Sequence, residues 1–103
     1  YRKELKDTLG LKLLNYKNDR ESAYWLFTIL VENRMDFINK MIVAEIPVSV
    51  IHQRIDRFSV FGNQTIGLIN QEKFDNNQIA IPIHSALTDD DVNKVIYSIK
   101  SGW

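Results

Sequence analysis

The chain has no cysteine, which excludes disulfides and thiolate metal sites. Its histidines number two, His52 and His84, and they stand far apart without the spacing of a metal-ligand pair. Lysine plus arginine equals aspartate plus glutamate at 13 each, so there is no net charge and no overall basic field to attract nucleic acid. No apolar run approaches the roughly 20 residues a membrane helix needs, and no signal peptide is expected from these residues. Phosphate-loop and dinucleotide fingerprints are missing, and no serine, histidine and aspartate stand in a recognisable triad context. With two prolines and four glycines there is no low-complexity segment, and no internal repeat is found.

What remains is a chain of 103 residues, one domain by length, with 45% hydrophobic and 25% charged residues. A chain of this size buries roughly 60–70% of the surface exposed when unfolded, enough for a modest core. Tyr1, Leu5 and Leu9 recur at helical spacing and Gly10 is a natural stop, which predicts a short first helix. Leu11, Leu13 and Leu14 suggest a short strand, and "NYKNDRES" a polar loop. The stretch "AYWLFTILVE", residues 23–32, reads as the strongest strand. Ala23, Trp25, Phe27, Ile29 and Val31 line one side, and both sides are mostly apolar. That predicts a central strand covered on both faces, the second face by a partner if the chain's own helices do not reach it.

Asn33 is placed to cap a helix whose buried stripe is Phe37, Ile38, Met41 and Ile42. Pro47 ends it, and "VSVI" predicts a second strand. Residues 62–78 form a polar connection with a short helix around Gln71–Asp75. "IAIPI", residues 79–83, is a third strand, which Pro82 assigns to an edge or an early end. Thr88 caps the last helix, and Asp89, Asp90 and Asp91 sit at the positive end of its dipole rather than forming a metal site. Val92, Val95, Ile96 and Ile99 give that helix its core face, and Gly102 follows its end. The expected fold is an α+β two-layer domain over residues 1–103. Its sheet is antiparallel or mixed, of three to four strands, with helices packed mostly on one face.

The densest set of ionisable side chains follows the "VSVI" strand, in "VSVIHQRIDRFSVFG", residues 48–62. In a loop, Arg54 and Arg57 have the geometry to clamp phosphates or a carboxylate, with His52 and Asp56 beside them. The competing reading is a surface salt-bridge cluster in which Asp56 pairs with either arginine. Phe58 and Phe61 belong to a core or an interface by default.

Three stretches carry a resemblance: "AYWLFTILVENRMDFINKM", "IPVSVIHQRIDRFSVFG" and "IAIPIHSALTDDDVNKVIYSIKSGW". Together they resemble the C-terminal small domain of the DegT-family sugar aminotransferases, fold-type-I enzymes that use pyridoxal phosphate. His52, Arg54 and Asp56 match a His-x-Arg-Asn-Asp pattern of one subset, with Ile55 where that subset carries Asn. The resemblance implies transfer of an amino group, usually from glutamate, to a nucleotide-linked keto-sugar by a cytoplasmic homodimer. It also implies that the pyridoxal phosphate and its Schiff-base lysine belong to a large N-terminal domain, so no cofactor is expected in this chain. On that basis the opening "YRKELKDTLG" reads as the helix leading out of that domain, and the chain as an inactive piece of a larger enzyme. His52, Arg54, Asp56 and Arg57 become substrate-binding candidates. The two arginines are then expected to matter for affinity and little for folding. The expected partners are the chain's own N-terminal domain, the dimer mate and the nucleotide-sugar, with neither nucleic acid nor membrane. The alternative is a free-standing α+β ligand-binding or interaction module with an arginine-based anion site. Upstream sequence separates the two.

Overall fold

The structure, a computed structural model, describes residues 1–103. In chain order it contains α1 (Arg2–Leu5), β1 (Leu11–Leu13), β2 (Phe27–Val31) and α2 (Arg34–Val43). Two single 3₁₀ turns follow at Ile55–Arg57 and Ser59–Phe61, then α3 (Ile69–Asn77), β3 (Gln78–Ile81) and α4 (Asp89–Lys100). The three strands form one antiparallel sheet in the order β1-β2-β3, with β2 central as expected. This is an α+β fold.

Register decides which residues share a face. Leu11 lies opposite Val31 and Leu13 opposite Ile29, while Phe27 and Ile29 face Ile81 and Ile79. Side chains alternate along a strand, so these seven apolar residues line one side of the sheet. Against them pack Leu5 of α1, Phe37 and Met41 of α2, and Val95 and Ile99 of α4, in one continuous core. Three helices therefore cover this face. The opposite face carries Lys12, Thr28, Leu30, Gln78 and Ala80, with Lys73 and Asn77 of α3 lining a groove beside Lys12 and Leu30.

The ends of α4 are well determined. Thr88 Oγ1 accepts from the Asp91 amide at 3.2 Å, and Asp91 returns a carboxylate oxygen to the Thr88 amide at 2.9 Å. This reciprocal box satisfies two otherwise orphaned N–H groups. At the far end, Trp103 donates its indole N–H to the Glu32 carbonyl at 2.8 Å and meets Phe37 edge-on at 5.0 Å. Gly10, at φ +75°, passes under the same indole. A Cβ there would lie 3.2 Å from the Trp103 ring.

Several expectations need correction. The long strand starts at Phe27, not Ala23, because Tyr24 takes φ +48° and turns the chain. Tyr24 stacks on Phe27, and Trp25 is left 81% exposed. "VSVI" is not a strand: only Ser49 pairs, through two backbone hydrogen bonds with Ala80 of β3. Asn33 holds the start of α2 but in the left-handed region, and its side chain makes no cap. Ile42 lies on the outer side of α2 and is exposed, while Phe37 and Met41 are fully buried. The first helix is a single turn that ends at Leu5, and Leu9 stands in solvent.

Candidate functional site

The charged stretch after residue 50 has no regular secondary structure beyond its two 3₁₀ turns, so polar side chains must shape it. Arg54 and Asp56 do so. Arg54 donates from Nε to Asp56 Oδ1 at 2.9 Å and from Nη2 to Asp56 Oδ2 at 2.5 Å, a two-pronged pairing. The same Nη2 reaches the Thr65 carbonyl at 3.1 Å, and the Thr65 amide returns to Asp56 Oδ2 at 2.9 Å. Residues 54–56 are thereby tied to Thr65, closing a loop about ten residues long. Gly62, at φ +95° and ψ −145°, turns the chain inside that loop in a conformation essentially reserved for glycine.

The electrostatics follow the geometry. The Arg54 guanidinium, together with the Thr65 N–H, lowers the Asp56 carboxyl to about 2. The hydrogen bond to Asp56 raises Arg54 in turn. Arg54 is only 6% exposed, which a surface cluster would not produce. Its backbone N–H donates to Asp75 Oδ1 at 2.9 Å.

Asp75, on α3 and 1% exposed, is the second centre. Its Oδ2 lies 2.5 Å from Arg57 Nη2 but off the N–H direction, so the contact is an ion pair without an aligned hydrogen bond. Arg57 also donates to Asn76 Oδ1 at 3.3 Å and keeps 41% of its side chain in solvent. The Asp75 main-chain carbonyl accepts from Arg34 Nη1 at 2.5 Å, and the Gln78 carbonyl accepts from the same nitrogen at 3.2 Å. A cation there answers the negative end of α3 and joins it to the first turn of α2.

Of the four candidate residues, Arg54, Asp56 and Arg57 therefore belong to one connected network. His52 stands exposed at its start, with no hydrogen bond to the other three. The expectation that the arginines matter little for folding does not fit this arrangement. Each faces a carboxylate, one of them fully buried. The sequence reading missed Asp75, Arg34 and Thr65. Asp75 lies some twenty residues from Arg54, and its only sequence signal is an acid inside a helix otherwise rich in amides. No group of three or more acidic or histidine side chains converges as a metal site, and Asp89–Asp91 serve the start of α4. No helix is long and apolar enough to cross a membrane.

The apolar residues around this network are turned outward. Phe58 is 52% exposed, Phe61 60% and Ile66 97%, with Ile55, Val60 and Ile69 also in solvent. The loop encloses Arg54 and Asp56 and turns its hydrophobic side chains outside, the reverse of a solvated surface loop.

Comparison with known proteins places this architecture. Among solved structures, sugar aminotransferase CalS13 from Micromonospora echinospora superposes with a TM-score of 0.93 at 32% identity. AtS13 from Actinomadura melliaura gives 0.87 at 29% identity. Both matches cover all of this chain and 28% of the other, so the chain spans a little over a quarter of those relatives' length. The aminotransferase TlmJ from Streptoalloteichus hindustanus, at 19% identity and a TM-score of 0.88, shares the fold. A search of curated proteins gave no match. A sequence profile covers nearly the whole chain, residues 1–100, and the chain belongs to the family it describes, the DegT/DnrJ/EryC1/StrS aminotransferases.

Proposed function

We propose that this chain is the C-terminal domain of a pyridoxal-phosphate-dependent aminotransferase that transfers an amino group, from glutamate, to a nucleotide-linked keto-sugar. The observation that carries the reading is the match to sugar aminotransferase CalS13 along the entire chain, at an identity where family and fold agree. The enzyme works in the cytoplasm as a homodimer, and this domain is inactive without the rest of the polypeptide.

Nothing in the chain itself fits the cofactor. Lys3, Lys6, Lys12, Lys17, Lys73, Lys94 and Lys100 are exposed and Lys40 is half-buried, whereas a Schiff-base lysine works in an enclosed site. The chemistry of amino transfer comes from pyridoxal phosphate bound elsewhere in the enzyme. What this domain contributes is binding. His52 and the solvent-facing side of Arg57 are the groups free to meet a diphosphate or a sugar hydroxyl. Arg54 and Asp56 act behind them by fixing the loop on which both stand.

The test is an amino-transfer assay on the longer polypeptide, with glutamate and a nucleotide-linked keto-sugar, following 2-oxoglutarate. Activity is expected, and His52→Ala should raise KM roughly tenfold, the loss of one charge-assisted contact of about 1.5 kcal/mol. For this chain alone, incubation with pyridoxal phosphate and borohydride should leave no stoichiometric adduct. One adduct on a single lysine overturns the reading.

A further inference from the structure

We propose that Arg54 and Asp56 are positioning residues whose fork preshapes residues 55–69 into an apolar docking knob. Its occupant is the remainder of the same polypeptide. The inference rests on the reading that this chain is one part of a longer enzyme.

Three observations carry it. The first is concentration. Of sixteen large hydrophobic side chains left exposed in the chain, eight fall between residues 51 and 69. Clusters of this kind mark places where another surface sits. The second is shape. A loop meant only for solvent would not enclose an arginine that is 6% exposed, pair it in two places with one carboxylate and close that carboxylate on Thr65. Burying charge costs free energy unless it is paired, and the pairing here fixes where the aromatic side chains point. Phe58 precedes the second 3₁₀ turn, Phe61 is its last residue, and both emerge from the stapled segment. Order is thus invested in a surface that the chain itself leaves uncovered. The third is length. The relatives that match this chain from end to end extend well beyond it, since the match covers only 28% of each. The missing portion is large enough to supply the complementary apolar surface. A preshaped knob docks with less ordering cost than a loose one, which gives the fork its purpose.

The first measurement is amide exchange by NMR on this chain. Asp56→Asn, of the same shape, and Arg54→Lys, which keeps the charge but loses the fork, should each speed exchange at Thr65 at least tenfold. Amides of β2 and α4 should not change. Unaltered exchange at Thr65 in both variants removes the positioning role. The second is hydroxyl-radical labelling of Phe58 and Phe61 in this chain and in the longer polypeptide. Labelling should fall several-fold in the longer protein and recover with Asp56→Asn. Equal labelling in both proteins refutes the docking, whatever the enzyme's activity. Protection that appears in this chain alone and grows with its concentration names a second copy as occupant and also overturns the proposal. Protection in a longer protein that transfers no amino group supports the docking and retires only the functional reading.

Discussion

Replacing Arg57 by alanine should destabilise the domain through a residue that stays where it is. Asp75 is 1% exposed, and its carboxylate is held by two groups: the Arg54 amide at 2.9 Å and the Arg57 guanidinium at 2.5 Å. Arg57→Ala removes the only countercharge in contact with it. Breaking a fully buried pair by deleting one partner costs roughly 3–5 kcal/mol, and breaking an exposed one about 0–1 kcal/mol. This pair lies between those limits, since one member is buried and the other is 41% exposed. A loss of about 2 kcal/mol follows. For a domain near 100 residues that lowers Tm by about 8–16 °C. Urea unfolding followed by the fluorescence of Trp103, which packs on Phe37, reads the change in ΔG. The control is the double variant Arg57→Ala/Asp75→Asn. Asn keeps an acceptor for the Arg54 amide and carries no charge to strand, so the double variant should recover about 1 kcal/mol of the loss. If Arg57→Ala shifts ΔG by less than about 0.5 kcal/mol, solvent already screens the pair and the argument from burial fails. If the double variant is no more stable than the single one, a stranded charge is not the cause.

Other perturbations have equally definite outcomes. Thr88→Ala opens the box at the start of α4 and should cost about 1 kcal/mol in the same urea experiment. Gly10→Ala meets a left-handed φ of +75° and the Trp103 ring at 3.2 Å, and should cost at least about 1 kcal/mol with a change in indole emission. The Asp56 carboxyl is depressed from 3.8 to about 2 by Arg54 and Thr65, so its contribution is fully present above pH 3.8 and is lost as pH falls through about 2. Thr65 amide exchange should therefore stay slow down to about pH 3 and rise sharply near pH 2; a rise already complete at pH 4 contradicts the pairing.

The parts legible in the sequence were those set by local periodicity and by end signals. The alternation of Phe27, Ile29 and Val31 gave the correct buried face. Thr88 marks a helix start that the structure reproduces, and the structure adds the reciprocal box with Asp91. Pro82 stands directly after the end of β3, whereas Gly10 lies five residues beyond the end of α1 and leads into β1. Failures came where a backbone angle or a distant partner decides. Nothing in "AYWL" announces that Tyr24 takes a positive φ, so the pattern places the start of the strand four residues too early. The "VSVI" pattern is as strand-like as that of β3, but only Ser49 finds partners, and a strand needs a continuous ladder. In the site, Arg54 and Asp56 were visible as an arginine and an acid two residues apart. Their burial was not, because it depends on Thr65 folding back and on Asp75 arriving from α3. Sequence spacing left open an anion clamp of two guanidinium groups or a pairing of Asp56 with either arginine; the structure pairs Asp56 with Arg54 and gives Arg57 the carboxylate of Asp75.

The edges of the small sheet explain how this domain can carry exposed hydrophobic side chains without polymerising through its strands. Backbone groups along β3 point alternately toward β2 and away from it. Of those pointing away, the Gln78 carbonyl is taken by Arg34, and both groups of Ala80 are taken by Ser49. Pro82, next in the series, has no N–H to offer. At the other border, β1 is three residues long with Lys12 in the middle. An incoming strand therefore finds no row of unpaired donors and acceptors to extend. Association of this domain with any other surface must run through side chains, where shape and chemistry select the partner, and not through main-chain addition, which accepts almost any extended segment.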